Sequence, residues 1–338
     1  MKAPSNELAC RALFLQAADE GRGPVLFGED ANRACERVLP FVEGVSFPAL
    51  YLEFPLLGEP FLDVTMLYGD VPGHMSFGDP AAAGTERMLR WFDGVRKEHE
   101  HICYGFELDT GKPAGTTAAV HFQPMNHTEL AAPFCEALGE PEAGKRYTEK
   151  ASRMPEGWPL AYFGLFRGRP GSPMRICGYM AQDEQKRCAE DPTHLEAAFR
   201  AIGFTDYDEK MISQVSELLR TAPETADFQF DLLPDGTVGE TFAIDVSFSI
   251  QRTEEVKKAF HEGSAARLMF RLEEWGIADS RWKKAAGMAF TRAIPVEDEE
   301  GKKRSFALVL TPNWLKVRWR KGVLQPAKLY ALGKARTV

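Results

Sequence analysis

The sequence predicts an α+β fold: an antiparallel ten-stranded β-barrel built from five α-β-β-α units, with the helices on the outside. Three observations predict it. Pairs of strands with period-2 alternation recur along the chain, joined by Gly- or Pro-rich turns. Stretches with helical apolar spacing separate the pairs. Most predicted strands have one apolar face and one face of charged or hydrogen-bonding residues. The apolar faces need an outer partner, which the helices supply. Closing the sheet on itself removes its edges and turns the polar faces into a lumen. An open sheet with helices on one face is the alternative. No stretch has the composition of a linker, so 1–338 reads as a single domain.

In chain order, 7–18 and 29–42 are predicted helices. The first hairpin, ALYLEFPLLGEPFLDVTMLYG, turns at Gly58-Glu59. Leu50, Leu52, Phe54 and Leu56 share one face of its first strand; Tyr51 and Glu53 share the other. Asp79-Pro80 and Thr85 open a helix through Met88, Leu89 and Phe92. The second hairpin, 101–124, sets His101, Cys103, Glu107 and His121 opposite its apolar face, and a helix from 127 follows it. The third turns at 168–173 and alternates Met174, Ile176 and Met180 with Arg175, Cys177 and Tyr179. Two helices follow, the first opening at Asp191-Pro192. The fourth hairpin turns at Pro234-Asp235-Gly236 and sets Asp227, Asp231 and Asp245 on its polar face. One long helix is predicted over 254–275. Beyond it, 306–310, 315–320 and 327–332 are strands and 289–296 is a further candidate; which of them form the fifth hairpin is left open.

Composition narrows the function classes. A net charge of -8 argues against broad electrostatic binding of nucleic acid. No apolar run is long enough to cross a membrane and no signal peptide is evident. The six cysteines are scattered without a CxxC, as expected of buried thiols in a cytoplasmic protein. His99-Glu100-His101 is not HExxH, and DDxxD, GxGxxG, Walker A and GxSxG are absent. No metal-ligand set is assigned.

If the apolar faces pack on helices, the lumen collects Tyr51, Glu53, Asp63, Glu107, His121, Arg175, Tyr179, Asp227, Asp231 and Asp245, then Lys316, Arg318, Arg320, Lys328 and Tyr330. So many buried charges imply water or a polar ligand inside.

The chain resembles the ABBA-type (PT-barrel) prenyltransferases, and among them the cyanobactin peptide prenyltransferase family. The resemblance lies in GFELD and AAVHFQP followed by the helix ELAAPFCEAL, and in YLEF, YFGLFRG, MRICGYMAQ, TRAIP and the closing KLYAL. It implies an enzyme that ionises an allylic diphosphate (dimethylallyl or geranyl) in the lumen. The allyl cation is then captured by a peptide side chain or a small aromatic acceptor. It implies Glu53 as the catalytic proton acceptor. His121, Arg175, Tyr179, Arg318, Lys328 and Tyr330 are the expected diphosphate ligands. Tyr51, Asp63, Asp231 and Asp245 are expected on the acceptor. Tyr51, Tyr179 and Trp314 could shield the cation. Lumen carboxylates could hold Mg²⁺. The acids of the second strand and fourth hairpin depart from a purely basic diphosphate site. They suit a cationic acceptor, or a catalytically divergent barrel that binds a small polar or cationic ligand.

Overall fold

The computed structural model describes residues 6–28, 30–42, 46–113, 116–222, 226–248, 250, 252–297, 301 and 303–337. Its strands, in chain order, are β1 (Ala49–Pro55), β2 (Asp63–Tyr68), β3 (Cys103–Leu108), β4 (Ala119–Gln123), β5 (Leu160–Leu165), β6 (Met174–Tyr179), β7 (Ala226–Leu232), β8 (Val238–Ser247), β9 (Phe290–Glu297), β10 (Lys303–Arg320), β11 (Val323–Leu324) and β12 (Lys328–Thr337). Strands β1 to β8 pair antiparallel in sequence, β10 joins β8 to β12, and β12 returns to β1. The sheet is therefore a closed antiparallel barrel of ten strands, as the alternation predicts.

The fifth hairpin is β10–β12, with the short β11 folded back in its turn. The two strands expected at 306–310 and 315–320 are halves of β10. Its first half pairs with β9 and its second half with β8. The exchange falls at Pro312, which has no N–H to offer a ladder. The register against β12 shifts between Pro312 and Trp314. The Asn313 carbonyl there accepts from the Phe248 N–H at 3.0 Å. Strand β9 is the addition outside the barrel.

The helical coat follows the predicted apolar spacing where helices were expected and adds four that the sequence reading did not name, Arg22–Leu26, Pro141–Ala151, Gln182–Glu190 and Trp282–Ala286. The helix expected over 254–275 is two, Thr253–His261 and Ser264–Glu274. Gly263 between them is extended, and a Cβ there would lie 2.8 Å from the backbone of Ala259. The helix expected from 29 is described as Asp30–Val42, and residue 29 lies outside the described residues. Elsewhere the sequence signals place helix starts well. Asp191 caps Pro192–Ile202 by accepting from the N–H groups of Thr193 and His194.

Aromatic pairs bind coat to barrel. Phe41 packs on Phe106, Phe92 on Tyr104, Tyr147 on Phe163, and Phe199 on Phe242. Phe134, on the helix Ala131–Leu138, stacks on Phe122 of β4 at 4.3 Å. Both rings are fully buried. Phe122→Ala is expected to cost about 3–5 kcal/mol of stability, measured by chemical denaturation. A loss below about 1 kcal/mol would mean that coat and barrel do not pack there.

The five hairpin turns gather at one end of the barrel and the helical connections at the other. This polarity gives the lumen two different mouths.

Candidate active site

Register sets which side chains meet in the lumen. Glu53 of β1 stands between Asp63 of β2 and Tyr330 of β12. Around the wall, Gly164 faces His121 and Arg175, Arg175 faces Asp231, and Cys177 faces Gln229. Asp227 faces Asp245, Asp245 faces Lys316, and Lys316 faces Lys328. Gly164 leaves the room that His121 uses: a Cβ there would sit 2.6 Å from the imidazole.

Two cavities share this lumen. The larger, about 350 Å³, lies toward the helical connections; Tyr51, Tyr162, Tyr179, Trp314 and Tyr330 line it with His121, Asp227 and Asp245. The smaller, about 180 Å³, lies toward the hairpin turns and is lined by Arg169, Arg175, Lys316, Arg318, Lys328 and Asp231. Glu53, Glu107, Arg175, Gln229 and Lys316 line both. These five side chains form a waist one residue thick. The basic cavity continues outward into a surface basin past Arg169, Arg175 and Arg318.

Ion pairs organise the waist. Lys328 donates to Glu53, which is only 6% exposed, and lies 3.6 Å from Asp63. Arg169 reaches in from the β5–β6 turn to Glu107 at 2.8 Å and Asp109 at 2.9 Å. Glu107 also meets His121 at 3.1 Å. Arg175 donates to Asp231 at 3.0 Å and lies over the Phe166 ring. Arg318 is the exception: among the described residues its guanidinium has no carboxylate partner. Burial and the neighbouring Arg175 both lower its pKa. An unpaired cation in a partly buried basic cavity is poised for an anion.

Burial alone would raise Glu53, but the Lys328 and Lys316 ammonium groups outweigh it and hold the carboxyl well below the usual range. Glu107 is likewise held low, against its burial, by His121, Arg169 and Arg175. Three aspartates go the other way. Burial, with Glu53 nearby, pushes Asp63 up to about 7, against the pull of Lys328. Burial and the Glu53 charge push Asp245 up to about 6, with Lys316 opposing. Burial and Asp245 push Asp227 up to about 8.

Those shifts set a pH dependence of stability. Asp63, Asp227 and Asp245 hold protons more tightly when folded, so stability falls as pH rises from about 4 toward 8. Glu53 and Glu107 act oppositely: their contribution is full above the unfolded value of about 4.3 and is lost as pH falls toward their depressed values. Thermal melts are expected to peak near pH 4 and to decline toward pH 8. A melting temperature that rises steadily over that interval would contradict the raised aspartates.

The structure brings Glu53, Arg175, Lys328, Tyr330 and Asp245 together and Arg318 beside them, but it redistributes the expected roles. Tyr179, expected with the diphosphate ligands, is 40% exposed at the opposite mouth and faces Asp227. His121 lines the larger cavity and not the basic one, because Glu107 holds its ring there. Tyr330 also lines the larger cavity, at the waist. Asp231, expected on the acceptor, lies in the basic cavity as the partner of Arg175. Asp63, also expected there, sits behind Lys328 and accepts from the Thr110 N–H at 3.3 Å. Arg320 leaves the lumen for the rim, paired with Glu240. Tyr51 and Trp314 line the larger cavity as expected.

Sequence reasoning missed Tyr162, set Gln229 on the polar face of the fourth hairpin without a role, and read Arg169 as part of a plain hairpin loop in preference to a phosphate contact. Arg169 stands in a turn, where alternation carries no information. Tyr162 lies beside an irregularity between Leu160 and Tyr162 that disturbs the period, and its hydroxyl accepts from Gln229 at 3.1 Å. Its spacing of two from Gly164 was the available signal.

A closed ten-stranded antiparallel barrel inside a helical coat is the PT-barrel fold. Comparison with solved structures agrees. The 5-dimethylallyltryptophan synthase from Streptomyces coelicolor superposes with a TM-score of 0.54 at 14% identity, covering 98% of this chain and 98% of that one. The same enzyme in complex with DMASPP and Trp gives 0.53 at 16% identity, over 98% and 96%. PriB in its binary complex with product diphosphate gives 0.52 at 14% identity, over 96% and 95%. At these identities the likeness is one of fold. No family model and no curated protein matches the chain. No helix among the described residues is long and apolar enough to cross a membrane.

Proposed function

We propose that the chain transfers a short allyl group, dimethylallyl or geranyl, from its diphosphate to a nucleophilic side chain of a peptide or to a small aromatic acceptor. One observation carries this reading: a basic cavity and an aromatic-lined cavity meet across a waist one residue thick that contains Glu53. The fold neighbours that hold DMASPP with Trp, or product diphosphate, support it.

In this reading the diphosphate enters from the hairpin-turn end and lies against Arg175, Lys316, Arg318 and Lys328. The allylic C–O bond breaks at the waist, and the leaving group departs with the electron pair into the basic cavity. Tyr330, Tyr51 and Trp314 face the cation and exclude water. The acceptor attacks from the larger cavity. For a neutral aromatic acceptor, the proton it sheds passes to Glu53. The cationic intermediate is so strong an acid that even a depressed carboxylate can take its proton.

Mg²⁺ fits this site poorly. Glu53, Glu107 and Asp231, the carboxylates that border the basic cavity, are already matched by Lys328, Arg169 and Arg175. No step is routed through the metal. All six cysteines are free thiols, which supports placing the protein, as a single domain, in the cytoplasm.

The test is calorimetry with dimethylallyl and geranyl diphosphate, with and without Mg²⁺, followed by incubation of labelled donors with peptides and indoles. Failure to bind either diphosphate ends the proposal. A barrel that binds a small cationic ligand without catalysis is the second reading, favoured by Asp227 and Asp245 in the larger cavity.

A further inference from the structure

We propose that the nucleophile taken by the larger cavity is a cationic nitrogen, a guanidinium or primary ammonium group, held between Asp227 and Asp245, and that Asp245 removes the proton it must shed before attack. This deepens the prenyl-transfer reading and rests on it for the reaction, though not for the binding.

The two carboxylates face each other across β7 and β8, and both line the cavity. Asp227 has no hydrogen bond or ion pair among the described residues. Asp245 is only 6% exposed. Its Oδ2 accepts from the Gln229 amide, while its Oδ1 has no partner. The nearest cation, Lys316, stands 3.9 Å away and lies over the Tyr330 ring. Tyr330, 9% exposed, lines the same cavity with Glu53 beside it. Leaving a buried polar atom unsatisfied costs about 1–3 kcal/mol. The unmatched Asp245 Oδ1 and the unpaired Asp227 carboxylate on one cavity wall mark a site completed by a ligand with several donors.

A neutral aromatic acceptor would leave Asp227 and Asp245 Oδ1 unmatched. A guanidinium or ammonium group offers three or more N–H donors and the opposite charge. Tyr162 and Tyr179 line the same cavity, and an aromatic ring favours a nearby cation.

The reaction balances without a further reagent. The Asp245 carboxylate takes one proton from the bound cation and becomes a neutral carboxyl. The freed nitrogen lone pair forms the bond to the allylic carbon. That carbon's bond to oxygen breaks, and diphosphate leaves with the electron pair. The product nitrogen carries the positive charge again. Glu53 is poorly suited to this first proton, because Lys328 already occupies it.

The empty site also predicts a direction with pH. Tyr179 from β6, Asp245 from β8 and, from farther off, Tyr51 and Tyr162 face Asp227; Lys316, Arg175 and Glu53 act on Asp245. Burial and mutual repulsion keep a proton on the pair near neutrality. A cation must displace it, so affinity rises with pH through about 8.

Calorimetry of the full chain with agmatine and with N-acetyltryptophanamide tests this directly, without catalysis. Agmatine is expected to bind, at least tenfold more tightly at pH 8.5 than at pH 6.5, while N-acetyltryptophanamide shows no such trend. Asp227→Asn and Asp245→Asn are each expected to weaken agmatine at least tenfold, and Asp227→Asn, which touches no residue of the basic cavity, to leave dimethylallyl diphosphate affinity unchanged. Should a variant fail to fold, the pH series on the parent protein decides alone. No binding of agmatine while dimethylallyl diphosphate binds overturns the inference and spares the prenyl-transfer reading. Agmatine binding without diphosphate binding does the reverse.

Discussion

Arg318→Gln is expected to weaken dimethylallyl diphosphate binding by about 10- to 100-fold and to leave the melting temperature unchanged or higher. The two halves of this result have separate causes. Arg318 lines the basic cavity and has no carboxylate partner among the described residues. A charge-assisted contact with a phosphate oxygen in a partly buried site contributes about 1.5–3 kcal/mol, which gives the fold-change in affinity. Stability responds differently because no ion pair is lost. Burial and Arg175 already disfavour the charged side chain, so glutamine removes a repulsion. Arg175→Gln should behave otherwise, since it strands Asp231 and takes a cation off the Phe166 ring. Affinity by calorimetry and melting by circular dichroism check both. A large loss of stability in Arg318→Gln would show that the guanidinium has a structural partner. Unchanged diphosphate affinity would remove the basic cavity as the donor site.

Much of this site is legible before any coordinates. Alternation alone places Glu53, Arg175, Asp245, Lys316, Arg318, Lys328 and Tyr330 inside, because a closed barrel forces every second side chain inward. Glu53 and Lys328 stand 275 positions apart and still meet, since β12 returns to β1. Depth along the axis is what alternation cannot give. Tyr179 and Arg175 share a face of β6, yet one reaches the outer mouth and the other the waist. His121 was expected at the diphosphate for its basicity; its level in the barrel puts it on the acceptor side. Arg169 comes from a turn, and its place in the lumen depends on how the β5–β6 hairpin folds over. The register shift of β10 after Pro312 accords with a missing N–H, but that one strand serves two partners emerges only when the sheet closes.

Glu53→Gln should lower turnover by about 10²- to 10³-fold while leaving donor affinity within a few-fold of the parent, the size of effect seen when one preorganised electrostatic group is removed from a transition state. Glu53 lines both cavities, and in the proposed reaction its negative charge lies beside the carbon that becomes cationic. Glutamine keeps the shape and loses that charge. The fold is expected to survive, for a reason specific to this waist. Lys328 has a second carboxylate, Asp63, at 3.6 Å. The Glu53 charge helps keep Asp63 protonated, with its pKa raised to about 7. Once Glu53 is neutral, Asp63 ionises more readily and takes over as the counter-ion of Lys328. The double variant Glu53→Gln with Asp63→Asn lacks that replacement and should melt well below either single variant, since it leaves a buried ammonium unpaired. Single-turnover rates with labelled dimethylallyl diphosphate, set beside melting curves of the three variants, separate the two effects. Full turnover in Glu53→Gln would shift the catalytic role to another carboxylate of the lumen. A parent protein that binds the donor and never turns it over would make this barrel a binder.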